Sequence, residues 1–200
     1  MTSDADSPTG DRDPAAEADM ADGLQRLWTP HRLKYIRGEN KPADDSAGDH
    51  CPFCRAPGVG DEDSLIIARG ELVYAVLNLY PYNTGHLLIC PYRHFADLTD
   101  ATAAEYAEIN LFTQQLMTAI RTAMAPDGFN VGVNQGAIAG AGISAHLHQH
   151  LVPRWGGDAN FMPVVGRTKI LPQELAETRA VIAAAWSDLY GRPLPDSEGQ

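Results

Sequence analysis

The run from Ala145 to Arg154, AHLHQHLVPR, constrains this chain more than any other. Its three histidines stand at alternate positions. A β-strand turns successive side chains to opposite faces, so His146, His148 and His150 are expected on one face of one strand, with Leu147, Gln149 and Leu151 on the other. Pro153 has no N–H for a sheet ladder and is expected to end that strand. Immediately upstream, Asn134 to Ser144 is small and glycine-rich. Such a loop brings backbone N–H groups close to a ligand, and rows of those groups bind anions. The plainer reading of alternating histidines is a solvated strand face or an incidental metal patch. Three in register, between a glycine loop and Pro-Arg, favour chemistry on phosphate instead.

A chain of 200 residues suits one domain with tails, and it is long enough for a core without covalent staples. Its formal charge of −11 argues against non-specific nucleic-acid binding, which needs clustered positive charge. A small phosphate ligand stays compatible, because local N–H groups and imidazoles can hold it. Cys51, Cys54 and Cys90 are too few and too odd in number for a disulfide framework. The acidic N-terminus lacks the apolar segment of a signal peptide, and no apolar run is long enough to span a bilayer. The chain therefore reads as soluble and cytoplasmic, with neither nucleic acid nor membrane as partner.

Residues 1–22 read as a disordered acidic leader, whose seven carboxylates and few apolar groups cannot offset ordering entropy. Residues 23–50 read as an N-terminal arm and linker. Leu24 to Trp28 suits a helical turn, and the basic run His31 to Arg37 suits a surface arm, a dimer contact or a lid. The domain is expected over residues 51–190, with 191–200 as a C-terminal tail. Ser64 to Arg69 and Leu72 to Leu79 predict a hairpin turning at Gly70-Glu71. His86 to Cys90 predicts a strand stopped by Pro91. Thr102-x-x-Glu105 is a capping-box signature, and Tyr106, Ile109, Phe112, Leu116 and Ile120 follow at helical spacing. That helix is expected to end near Pro126-Asp127-Gly128. Phe129 to Asn134 alternates as a strand. Pro172 suits the first turn of a last helix, with Leu175, Ile182, Trp186 and Leu189 as its apolar stripe. Hairpins, a helix, two strands and a helix make an α+β domain with a largely antiparallel sheet.

Cys51-Pro52-Phe53-Cys54 admits three readings: a zinc half-site, a redox dithiol or a relict pair. A redox dithiol would follow an apolar strand and open a helix, and neither flank fits. A zinc half-site needs two more ligands, and histidines are available.

The stretch His146-Leu147-His148-Gln149-His150-Leu151-Val152 resembles the histidine-triad (HIT) motif, three histidines alternating with apolar residues, and departs from it at Gln149. The resemblance runs from about Cys51 to Arg154. It implies a five-stranded, mainly antiparallel sheet with one main helix and a C-terminal helix, assembled as a homodimer or higher homo-oligomer. It implies that His148 is the nucleophile that becomes adenylylated and His150 a phosphate ligand. By the same resemblance His86 supports the triad, Asn78 binds ribose hydroxyls, and Asn134 contacts phosphate, with Gly142 and Ser144 in the same loop. Asn78 can also be read simply as a turn residue at a strand end. In the zinc-bearing branches the metal site maps onto Cys51, Cys54, His94 and His146, a closed structural set.

Within that family, hydrolases often carry Gln four residues before the first triad histidine, where this chain has Gly142. Together with Gln149, the Trp155 to Leu171 loop and the Trp28 to Arg32 leader, this makes the chain most similar to the actinobacterial diadenosine tetraphosphate phosphorylases. The expected partners are then a dinucleoside polyphosphate and inorganic phosphate. A diadenosine polyphosphate or nucleoside phosphoramidate hydrolase, and a non-catalytic nucleotide-binding scaffold, are the alternatives.

Overall fold

The computed structural model describes residues 48–158 and 173–191. The leader 1–22, the arm from residue 23 to 47, the run Asn160 to Lys169, Pro172 and the tail from residue 192 lie outside the described residues. In order come α1 (Pro52–Arg55), α2 (Asp61–Ser64), β1 (Ile66–Arg69), β2 (Val73–Leu77), β3 (Leu87–Pro91), α3 (Ala103–Met124), β4 (Gly128–Val133), β5 (Gln149–Arg154) and α4 (Leu175–Tyr190). The five strands form one antiparallel sheet in the order β1-β2-β3-β5-β4. The α+β expectation holds. Among the described residues no helix is long and apolar enough to cross a membrane.

The capping box forms as predicted. Thr102 Oγ1 accepts from the Glu105 N–H at 3.2 Å, and the Glu105 carboxylate accepts from the Thr102 N–H at 2.8 Å. Ile109, Phe112, Leu116 and Ile120 are buried at helical spacing, but Tyr106 is 52% exposed. In that first turn the inward position belongs to Glu105, which grips Arg93 through both carboxylate oxygens at 2.9 and 2.8 Å. The helix stops where Ala125 turns left-handed, at φ +47°, ahead of Pro126. On α4, Ile182 is buried and Trp186 packs on the core, whereas Leu189 is exposed.

Helices α3 and α4 contribute to the main core with Val73, Ala75, Leu77, Leu87, Ile89 and Leu151 of the sheet. The alternate strand residues Tyr74, Val76, Leu88 and Cys90 pack instead with Phe53 and Ala56. His150 stands opposite Leu88 on β3 and Gly132 on β4, and directly paired residues share a face. The histidine side of the sheet is therefore the face turned away from the two long helices.

The β1–β2 turn falls at Gly70, as predicted. The Glu108 carboxylate of α3 accepts the Glu71 and Leu72 N–H groups at 2.8 and 2.7 Å. A Cβ on Gly70 would run into Glu108 and the Phe112 ring, so only glycine lets the turn lie this close to α3.

Of two expectations about proline, one holds and one is corrected. β3 ends at Pro91 as expected, and Pro91 is its last paired residue, opposite Val73. Pro153 does not end β5, and it pairs with Phe129 of β4. The carbonyl of Pro153 accepts from Asn83 Nδ2 at 3.1 Å. A strand residue's N–H and C=O point to the same side, so the missing N–H also faces that side. There the β3 ladder has already finished at Leu87↔Leu151, and the proline breaks no ladder bond.

Candidate active site and metal centre

The three histidines do not share one strand, as their spacing suggested. The ladder of β5 starts at Gln149, so only His150 lies within it. His146 and His148 occupy the irregular approach, held where the Leu147 N–H donates to the Phe95 carbonyl at 2.6 Å. The reason lies outside the run itself. His146 is drawn toward Cys51, Cys54 and His94, and a regular strand cannot serve that cluster and the sheet together.

Hydrogen bonding fixes the tautomers, because a carbonyl oxygen only accepts. His148 Nδ1 donates to the His146 carbonyl at 2.9 Å, which leaves the lone pair on Nε2. His146 Nε2 donates to the Pro91 carbonyl at 2.9 Å, which leaves its lone pair on Nδ1. His86 Nδ1 accepts the Tyr82 N–H at 2.9 Å, so His86 Nε2 carries a hydrogen and donates to His150 Nδ1 at 2.9 Å. His150 Nε2 then carries a hydrogen; Asn134 Nδ2, itself a donor, stands 3.3 Å away, so these two nitrogens are neighbouring donors and do not bond to each other. Four imidazoles are thus set by chemistry the sequence does not display.

His148 is only 5% exposed, and burial lowers its pKa. It is neutral at physiological pH, as a nucleophilic imidazole must be. Its ring meets the Phe53 ring at 5.0 Å and the His150 ring at 5.1 Å. Tyr82 stacks on His150 at 5.6 Å, with 16° between the planes. Phe53 and Tyr82 were not singled out from the sequence. Phe53 was hidden inside the C-x-x-C run and Tyr82 inside a turn-rich loop.

The four expected metal ligands do converge. The ligand atoms of Cys51, Cys54, His94 and His146 all lie within 4.8 Å of one another. His146 Nδ1 is 3.3 Å from Cys51 Sγ, 3.5 Å from Cys54 Sγ and 3.2 Å from His94 Nδ1. Ligand atoms around a tetrahedral zinc with ordinary bond lengths stand about 3.4–3.8 Å apart, so the set fits that ion closely. The bond from His146 Nε2 to Pro91 is the outer contact that orients a metal-binding imidazole. Burial pushes the Cys51 thiol up to about 11, so a bound cation must displace its proton. His94 Nδ1 also lies 3.3 Å from Cys54 Sγ.

Acid should unfold this region early. Burial lowers His146 from its ordinary 6.5 to about 4, and His148 shifts the same way. Between those values the unfolded chain binds a proton that the fold excludes. Stability is therefore complete above about pH 6.5 and is lost progressively as pH falls toward 4. In the metal-free chain His146 alone is worth on the order of 3 kcal/mol over that window. Glu105 and Asp158, both lowered to about 2 by arginine partners, add their losses only at lower pH. Thermal melts at pH 7 and pH 5 should differ accordingly, and equal melting temperatures would refute this sign.

The remaining predicted residues divide. Asn134 stands beside the triad at His150. Asn78 lies beside His86, its Nδ2 3.4 Å from Nδ1, but its Oδ1 accepts the Tyr80 N–H at 2.9 Å as a turn residue does. Gly142 and Ser144 fall in the bend leading to His146. Gly136 and Gly140 take positive φ, at +77° and +86°, whereas Gly142 does not. A cleft of about 210 Å³ opens beside His150, lined among others by Tyr82, Gly132 and Asn134.

The HIT domain family profile matches residues 59–157. Over 168 residues the chain is 49% identical to the AP-4-A phosphorylase of Mycobacterium tuberculosis, covering 83% of this chain and 86% of that one. A Zn-bound histidine triad family protein from Mycobacterium smegmatis is similar in structure, with TM-score 0.57 and 27% identity over 68% of this chain and 93% of its own. A hypothetical histidine triad nucleotide-binding protein from Sulfolobus tokodaii matches with TM-score 0.57 and 25% identity, over 75% and 100%.

Proposed function

The chain belongs to the histidine-triad family, and from that membership we propose that it is a nucleotidyltransferase cleaving diadenosine tetraphosphate with inorganic phosphate to ATP and ADP. The observation that carries the chemistry is His148, buried, neutral and tied through Nδ1 to the His146 carbonyl, with Nε2 as its lone-pair nitrogen.

In the first step Nε2 attacks the α-phosphorus of one adenosine. An N–P bond forms, the P–O bond to the rest of the molecule breaks, and that electron pair leaves with ATP. The imidazole gains positive charge, which the Nδ1–H shares with the His146 carbonyl. His150 presents an N–H at Nε2 to a non-bridging oxygen, with Asn134 beside it, and loop N–H groups spread the developing charge. In the second step a phosphate oxygen attacks the same phosphorus, the N–P bond breaks, and ADP leaves. His86 holds His150 in the required tautomer. Asn78, Gly142 and Ser144 complete the nucleotide site in this reading.

Zinc on Cys51, Cys54, His94 and His146 would be structural, since four protein ligands close the coordination sphere. A homodimer, or a larger homo-oligomer, fits the exposure of Val131 on the edge strand β4 and of Tyr106 and Leu111 on α3. The three unbridged cysteines suit the cytoplasm.

The acceptor is the point to test. Wild-type protein given diadenosine tetraphosphate should form ATP and ADP when phosphate is supplied and should nearly stop without it. Efficient AMP release in phosphate-free buffer would replace this reading by a hydrolase. Because Gly142 does not need a positive φ, Gly142→Gln tests side-chain volume rather than backbone strain. It should shift products toward ATP plus AMP by filling phosphate space. Uniform loss of activity with unchanged products would deny Gly142 that role.

A further inference from the structure

Gln149 stands between His148 and His150, with its side chain turned toward the helices. Leu147 and Leu151 on that side are buried, yet Gln149 carries an amide. Its Nε2 lies 2.7 Å from Thr113 Oγ1 in the middle of α3. Thr113 spends its own hydroxyl hydrogen on the Ile109 carbonyl at 2.7 Å, so its oxygen can only accept and Gln149 must donate. The bond is directional at both ends.

Its position matters because His148 lies outside the sheet. The main chain is held before it by Leu147, on the Phe95 carbonyl, and after it only from Gln149, where pairing with Ile89 and Val133 begins. We infer that Gln149 is a positioning residue, whose hydrogen bond to Thr113 sets the rotation of the strand at His148 and His150. A leucine there would fill similar space but could slide, since apolar contact has no preferred direction. The inference rests on the proposed reaction only for its kinetic readout.

The test uses Gln149→Leu, Gln149→Met, Thr113→Val, Thr113→Ser and the double variant Q149L/T113V in the full chain. A shift of one ångström in a reacting group costs up to about a hundredfold. Gln149→Leu, Gln149→Met and Thr113→Val should each lower kcat roughly tenfold, with KM for diadenosine tetraphosphate within about twofold. The double variant should be no worse than Gln149→Leu, because both changes remove one bond. Thr113→Ser keeps the hydroxyl and should retain near-full kcat. Histidine ring resonances of His148 and His150 in Gln149→Leu should shift or broaden, while the melting temperature moves by only a few degrees. Unchanged kcat with unshifted rings overturns the inference, as does a kcat loss that follows the melting temperature across the set. Should wild-type protein show no turnover, the proposed function fails, and the ring resonances alone decide the role of Gln149.

Discussion

Replacing His148 with alanine should lower turnover by roughly four orders of magnitude or more, the scale seen when a covalent nucleophile is removed. Nucleotide affinity should change only a few-fold, because the phosphate and ribose contacts are assigned to other residues. The hydrogen bond from Nδ1 to the His146 carbonyl makes the expectation specific to one nitrogen. Wild-type protein quenched during turnover should carry an adenylyl group bonded through nitrogen, and His148→Ala should carry none. A His148→Ala protein with substantial activity would sink the nucleophile assignment.

The second large effect concerns stability. Cys51→Ser should cost the protein its metal and about 4 kcal/mol, or roughly 12 °C in melting temperature, since a bound structural zinc contributes its binding free energy to folding. The loss should reach the active site as well. His146 offers its ring to the metal set and its carbonyl to His148, so loosening one loosens the other. Purified wild-type protein should hold about one zinc per chain, measured by elemental analysis, and a chelator should reproduce the Cys51→Ser phenotype. Metal-free protein with the same melting temperature as the variant's parent would refute a structural zinc.

Much was legible in the residue order because it depends on short-range geometry. The capping box at Thr102 and Glu105, the buried positions of α3 from Ile109 to Ile120 and the turn at Gly70 all follow from local spacing, and all are present. The α+β class follows from the order of those elements. The bounds of strands proved less certain, since a proline such as Pro153 is tolerated or excluded by which side of the strand has a neighbour. That neighbour is far away in the chain.

For the site, the alternation of His146, His148 and His150, with a C-x-x-C run upstream, marked both a reactive imidazole and a metal half-site. Residue order alone determines which chemical groups are available. It does not decide which nitrogen of each histidine carries its proton, because the acceptors are the carbonyls of Pro91 and His146 and the ring of a residue 64 positions away. Nor does it show that His146 leaves the strand for the cysteines, or that Gln149 finds Thr113 across the core. Those outcomes belong to the tertiary structure. A hydrogen bond depends on distance and direction between atoms, and only folding brings residues remote in sequence within reach.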